Sequence, residues 1–238
     1  MLKSLILLII LSTAVQACSV KEVKPVLEYK IKKPKIESED SPLLILLHGL
    51  GSNEEDLFQL TQYLPEDYLI VCARAPYVQA EKRFEWYEMD FSTGQPVGNF
   101  EQAEDSRLLL KKFITQLKSL HTFDHKKIII GGFSQGGIMS YSLGLTEPNL
   151  VHGIMVLSGR LSEEIKPMIR IDKQDAVELL IIHGTQDKVL PVKYARQAKS
   201  YLEQKKFRIE YHEINVGHTI NNETIQLINK WLLKFKEE

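Results

Sequence analysis

The sequence predicts an α/β protein built on one open, mostly parallel sheet with helices on both faces. Three observations carry that expectation. Short runs at residues 43–47, 128–130 and 179–182 are apolar at every position, as strands covered on both sides must be. Between such runs apolar residues recur at helical spacing, so that strand and helix alternate with a period of about 25 to 35 residues, the length of a crossover unit. Finally, Gly132-Phe133-Ser134-Gln135-Gly136 follows directly on the Ile128 run and leads into small and apolar residues suited to a buried helix. That is strand, sharp turn, helix.

The elements follow in chain order. Residues 1–17 read as a secretory signal: a positive start at Lys3, an apolar core over 5–11 too short for a membrane span, then smaller and more polar residues up to Ala17. The same residues with Cys18 next also resemble a bacterial lipobox, in which the cysteine receives lipid, although Val15 and Gln16 are less usual there. The expected location is the bacterial cell envelope, lipid-anchored through Cys18, with a soluble periplasmic or secreted protein as the alternative. Residues 18–26 are a lysine-rich tether, and one domain spans 27–238, with an edge strand at 27–31.

From Pro42 the regular alternation begins. The strand at 43–47 leads to a glycine-containing loop, where Asn53 is placed to cap a helix through Asp56, Leu57, Leu60 and Leu64 before Pro65. Residues 68–72 form the next strand. Residues 75–98 mix Trp86, Tyr87, Met89 and Phe91 with charges and are too long for an ordinary connection, which marks them as either functional or a packed surface flap. A helix of about five turns is expected through Leu109, Phe113, Leu117 and Leu120. Strands at 128–130, 154–157, 179–182 and 208–214 alternate with helices after Ser134, after Pro191 and through Ile225, Ile228, Trp231, Leu232 and Phe235.

The totals narrow the function. With 238 residues and 44% hydrophobic content the chain can bury a large core, and 30 Lys plus Arg against 31 Asp plus Glu gives no electrostatic reason for a nucleic-acid partner. Of the two cysteines, Cys72 ends a strand as an inert core residue. With no CxxC, histidine cluster or acidic calcium loop, no metal is expected.

In an open parallel sheet, ligands sit beyond the carboxyl ends of the strands. Loop 49–53, Ser134, Asp187 and His218 all fall there. A serine hydroxyl is almost never ionised at neutral pH, so it needs a histidine to take its proton and a carboxylate to hold that histidine's tautomer. The chain order Ser134, Asp187, His218 is that of an α/β hydrolase. Asp172 and Asp175 compete for the acid but precede their strand, and His212 competes for the base but lies inside one. Capping duty is the structural alternative for Asp187, a solvent-exposed loop position for His218. His48 and His183 read as packing or hydrogen-bonding residues. Negative charge developing on the substrate oxygen would be met by the backbone N–H of Gln135 and of Leu50, the latter flanked by Gly49 and Gly51.

Taken together, HGLGSNEEDL, RAPY at 74–77, WY at 86–87, GFSQGG at 132–137, LSG at 157–159, HGTQDKVLPV at 183–192 and GH at 217–218 resemble the phospholipase/carboxylesterase family of α/β hydrolases. The resemblance runs from about Leu27 to Lys234. It implies a catalytic triad of Ser134, Asp187 and His218, oxyanion donors at Leu50 and Gln135, and no cofactor. The implied activity is serine carboxylesterase action on short to medium acyl esters, sometimes on lysophospholipids or protein thioesters. Trp86, Tyr87 and Arg160 are the candidate substrate contacts. Arg160 departs from the family, which usually has an aromatic residue after LSG; its head either faces solvent or meets an acidic substrate. A peptidase or amidase uses the same chemistry, and an inactive acyl-binding lipoprotein is the alternative of a different class.

Overall fold

Five strands of branched and long apolar residues form the centre of the molecule because no other arrangement hides both of their faces. The computed structural model describes residues 24–90, 92 and 97–236; the expected signal at 1–17, Cys18 and Phe91 lie outside them. The strands are β1 (Tyr29–Lys32), β2 (Leu43–Leu47), β3 (Leu69–Ala73), β8 (Ile128–Phe133), β9 (Gly153–Leu157), β10 (Glu178–Gly184) and β11 (Arg208–Ile214), and they make one seven-stranded sheet ordered β1-β3-β2-β8-β9-β10-β11. β1 pairs antiparallel with β3; every other pairing is parallel. This is the mostly parallel sheet of an α/β hydrolase.

Alternation along each strand divides the core in two. Leu43, Ile45 and Leu47 of β2 pack with helices α2 (Phe100–Leu120), α3 (Gln135–Thr146) and α4 (Lys193–Gln204). Leu44 and Leu46 face the other way, toward α1 (Glu54–Phe58) and α5 (Asn222–Leu232). Helices therefore cover both faces. The moderately alternating β11 is half-buried along most of its length, as an edge strand should be.

Two local differences from expectation have plain causes. Asn53 does cap α1, accepting from the Glu55 N–H at 2.9 Å, but the α-helix ends at Phe58 and continues as a 3₁₀ turn over Gln59–Tyr63. Lys32 draws on that turn by donating to the Thr61 carbonyl at 2.7 Å. The irregular region 75–98 contains two small hairpins, β4 (Tyr77–Ala80) with β5 (Arg83–Glu85) and β6 (Met89–Asp90) with β7 (Val97–Gly98). Strands of two to four partly exposed residues have no periodicity to read. Within the expected tether, the Val26 N–H donates to the Gln116 side chain on α2 at 2.8 Å, so residues next to the domain boundary already pack on it.

The chain runs from β2 to β3 on one side, then returns to β8 on the other. The strand order therefore reverses between β2 and β8, and the crevice beyond their carboxyl ends is where an α/β sheet takes its ligand. Among the described residues, no helix is long and apolar enough to cross a membrane.

Candidate active site

Ser134 occupies the turn between β8 and α3 with φ +54° and ψ −116°, a conformation that side-chain-bearing residues avoid. Its N–H donates to the Leu157 carbonyl on neighbouring β9 at 2.9 Å, which pins the turn to the sheet. The glycines two positions either side are required by close backbone approach. A Cβ at Gly136 would run into the Leu47 carbonyl at the end of β2, and one at Gly132 would stand 2.8 Å from that same oxygen. Strand and helix can thus cross tightly enough to lift the Ser134 side chain to the rim.

Asp187 and His218 come from the loops after β10 and β11, and backbone hydrogen bonds stitch those loops together. The Thr185 N–H donates to the Ile214 carbonyl at 2.8 Å and the Gln186 N–H to the Val216 carbonyl at 2.9 Å. Gly184 leaves room for this; a Cβ there would strike the carbonyls of Val216 and Gly217. Asp187 is buried. Its Oδ1 accepts from the N–H groups of Val189 at 2.9 Å and Leu190 at 2.8 Å, and its Oδ2 lies 2.6 Å from His218 Nδ1. A carboxylate can only accept here, so Nδ1 carries the hydrogen and Nε2 keeps a lone pair. The His218 ring packs against Phe133, the residue before Ser134, with centroids 4.7 Å apart.

Two further histidines brace the loops. His183 is fully buried, with Nε2 at 2.7 Å from the Leu190 carbonyl, to which it donates. It therefore holds the turn whose N–H groups hold Asp187. Burial pushes its pKa down, so the ring is neutral, and its contact with Asp187 Oδ2 at 3.4 Å is not an ion pair. His48 donates from Nδ1 to the Gly49 carbonyl at 2.8 Å and accepts at Nε2 from the Ala75 N–H at 3.1 Å; its pKa too is lowered by burial. Both are the hydrogen-bonding residues their positions before glycine suggested. Cys72 sits in the core with its thiol pushed up to about 12 by burial. Asp172 and Asp175 lie in a 3₁₀ segment before β10, away from this rim, and His212 faces Glu210 at 3.0 Å.

The loop carrying Leu50 is held from the far side by the irregular region. Gly51, at φ +71°, donates to the Phe84 carbonyl at 2.9 Å, and the Phe84 N–H returns to Ser52 at 2.8 Å. Trp86 Nε1 donates to the His48 carbonyl at 3.0 Å. The Gln135 side chain completes the clamp, accepting from the Trp86 N–H at 2.8 Å and donating to the Tyr87 carbonyl at 2.7 Å. Gln135 also begins α3, where a first-turn N–H has no acceptor within the helix. The Leu50 N–H makes no hydrogen bond to a described residue.

A cleft of about 250 Å³ opens over these groups, lined by Leu50, Ser134, Gln135, Tyr87, Met89, Ile138, Arg160, Val189, Leu190, Pro191 and Tyr194. Of the three candidate substrate contacts, Tyr87 and Arg160 line it. Trp86 does not: it is 0% exposed and stands behind the wall, where its role is to hold the Leu50 loop. A tryptophan next to an active-site tyrosine looks the same in sequence whether it faces the cavity or backs it. The bracing side chain of Gln135 and the wall residues Ile138, Val189 and Tyr194 left no signal in the sequence, because their partners are distant in the chain.

A family model described as Phospholipase/Carboxylesterase matches residues 30–236. Acyl-protein thioesterase 1 of Kluyveromyces lactis is 24% identical over 212 residues, which cover 81% of this chain and 91% of that protein. Acyl-protein thioesterase 1 of Candida albicans is 26% identical over 232 residues, covering 87% and 98%. Among solved structures, a carboxylesterase of Bacillus cereus superposes with a TM-score of 0.76 at 21% identity, over 88% of this chain and 95% of that one, a likeness of fold.

Proposed function

The chain belongs to the phospholipase/carboxylesterase family of α/β hydrolases, and from that premise we propose that it is a serine carboxylesterase cleaving short to medium acyl esters through an acyl-enzyme. The observation that carries the reading is the pairing of His218 Nδ1 with buried Asp187 Oδ2 at 2.6 Å, on the rim where the Ser134 turn opens. Ser134 Oγ attacks the ester carbonyl carbon as its proton passes to His218 Nε2. The Leu50 and Gln135 N–H groups meet the oxyanion. Collapse breaks the acyl–oxygen bond, and His218 returns the proton to the leaving alcohol. Water then repeats the sequence on the acyl-enzyme, releasing the carboxylic acid and restoring Ser134.

Two relatives named acyl-protein thioesterase favour a second reading on the same machinery, in which the leaving group is a thiol. One experiment separates the two and tests both. The purified protein is labelled with a fluorophosphonate, then assayed on oxygen esters, matched thioesters and lysophospholipids of graded acyl length. Labelling at Ser134 with faster turnover of oxygen esters supports the esterase; faster turnover of thioesters supports the alternative; absence of labelling by folded protein overturns both.

Residues 1–18 support an envelope location with Cys18 as lipid attachment point. The intact mass of protein from a bacterial membrane fraction tests it. A mature chain starting at an unmodified Cys18 would rule lipidation out.

A further inference from the structure

Arg160 is the one arginine among the described residues that has neither a carboxylate within ion-pair distance nor a side-chain hydrogen bond. Arg74, Arg107, Arg170, Arg196 and Arg208 are ion-paired, and Arg83 donates to the Gly51 carbonyl at 3.2 Å. Of the two acids that follow it, Glu163 pairs with Lys166 at 2.7 Å and Glu164 takes a hydrogen bond from the Ser162 hydroxyl, which together with the more distant charge of Arg160 lowers its pKa. Arg160 is also the arginine that lines the cleft with Ser134. A guanidinium always carries charge and five donors in a planar fork, and it is costly to leave unmatched where water is partly excluded.

The backbone is built to put it there. Ser158, at the end of β9, is buried and adopts φ +50°, while its N–H donates to the Ile182 carbonyl on β10 at 2.9 Å. Gly159 then passes so close to α3 that a Cβ would stand 2.7 Å from Val156 Cγ1 and 3.1 Å from the Gly137 carbonyl carbon. A residue at positive φ that glycine would fill more easily is strained, and such strain collects at functional sites. Here it turns the chain at once, so that Arg160 lines the cleft and also an adjoining cavity that shares Tyr87 and Ile138 and runs on to Met139 and Ile165. Because β8 and β9 are hydrogen-bonded neighbours, with Phe133 opposite Leu157, the turns that carry Ser134 and Arg160 leave adjacent strands.

We propose that Arg160 is a specificity residue selecting esters that carry a carboxylate a few carbon atoms from the scissile carbonyl. This rests on the serine-esterase reading and adds the charge of the substrate to it. The guanidinium fork receives the carboxylate in two charge-assisted hydrogen bonds while the ester carbonyl lies over Ser134.

The test compares matched pairs of esters. For the acyl half, mono-p-nitrophenyl glutarate is set against p-nitrophenyl valerate; for the alcohol half, para-acetoxybenzoate is set against phenyl acetate. Wild type is expected to favour the anionic member of one pair, which identifies the half that carries the charge. In Arg160→Met the anionic-to-neutral ratio of kcat/KM for that pair should fall about 10- to 100-fold, mostly through KM, as expected for a lost charged hydrogen bond. Arg160→Lys should recover part of it. Hydrolysis lost in Ser134→Ala with ratios equal in wild type and Arg160→Met overturns the Arg160 assignment alone. A folded protein that hydrolyses none of the four esters and takes no fluorophosphonate fails at Ser134, and the inference falls with that reading.

Discussion

Two neighbouring strands of this sheet end in the same backbone device and use it differently. Ser134 after β8 and Ser158 after β9 both adopt positive φ, +54° and +50°. Each donates its N–H to the next strand along, Ser134 to Leu157 and Ser158 to Ile182. Each is followed closely by a glycine pressed against its surroundings, Gly136 on the Leu47 carbonyl and Gly159 on Val156 and Gly137. At the first turn the strained residue itself rises into the cleft and a helix begins. At the second the strained residue stays buried, and the residue two places on, Arg160, lines the cleft. A strained turn determines where a side chain goes, while the residues around it determine what it can do: the Asp187–His218 pair stands beside the first turn, its imidazole packed on Phe133, the residue before Ser134.

The largest effect is expected from removing the Ser134 hydroxyl. Ser134→Ala should lower kcat on p-nitrophenyl esters by about a thousandfold or more, with thermal melting unchanged within error. Full turnover in that variant would put the nucleophile elsewhere. Next in size is the cost of crowding the two turns. Gly136→Ala drives a methyl group into backbone that cannot move aside and should destabilise by about 3 kcal/mol or more, whereas Gly159→Ala meets first a valine methyl and should cost about 1 kcal/mol. Denaturant melts of the two variants decide it; equal losses would mean that the Ser134 turn is no tighter than its neighbour.

Much of the fold is legible in the sequence. The buried strands announce themselves as runs without a polar residue, and Ser134, Asp187 and His218 stand out by position after strand ends and by chemical type, the last two being paired at 2.6 Å in the structure. What could not be read depends on contacts between distant backbone groups. The hairpins in 77–98 are too short to carry a period. Trp86 and the Gln135 side chain act on carbonyls and N–H groups that local sequence does not place. Positive φ at Ser158 is invisible because a serine there carries no glycine-like mark, whereas Ser134 was betrayed by glycines on both sides.

A third test separates the turns by their supports. The loops after β2 and β10 lean on His48 and His183, whose pKa values burial lowers, while the Ser158 N–H is held by the backbone carbonyl of Ile182. The fold keeps both rings neutral, whereas the unfolded chain protonates them below about 6.5. The unfolded state therefore binds more protons as pH falls through that value, so the stability tied to neutral rings is full above it and is lost below it. Carboxylates with lowered pKa, such as Glu54, hold their contribution until the pH falls below about 4.5, which leaves the window above it to the histidines. The melting temperature should fall from pH 7 toward pH 5, and less steeply in His183→Gln. An identical slope in that variant would remove His183 from the account.

The smallest expected effect is the most direct test of what Ser158 contributes. Replacing it with glycine removes the left-handed penalty, worth about 1 kcal/mol, but returns conformational freedom to the unfolded chain at a cost of similar size. Ser158→Gly should therefore change stability by less than about 1 kcal/mol. Arg160 should keep its place, so the anionic-to-neutral ester ratio should stay near that of wild type. Ser158→Ala keeps the strain and should be no more stable than wild type. The informative contrast is with Ser134, where deleting the hydroxyl removes the proposed nucleophile. If Ser158→Gly instead depressed turnover of neutral esters as deeply as Ser134→Ala, with an unchanged melt, then the Ser158 hydroxyl would belong to the chemistry. The two turns would then be partners in one reaction rather than, as proposed, a nucleophile beside a selector of charge.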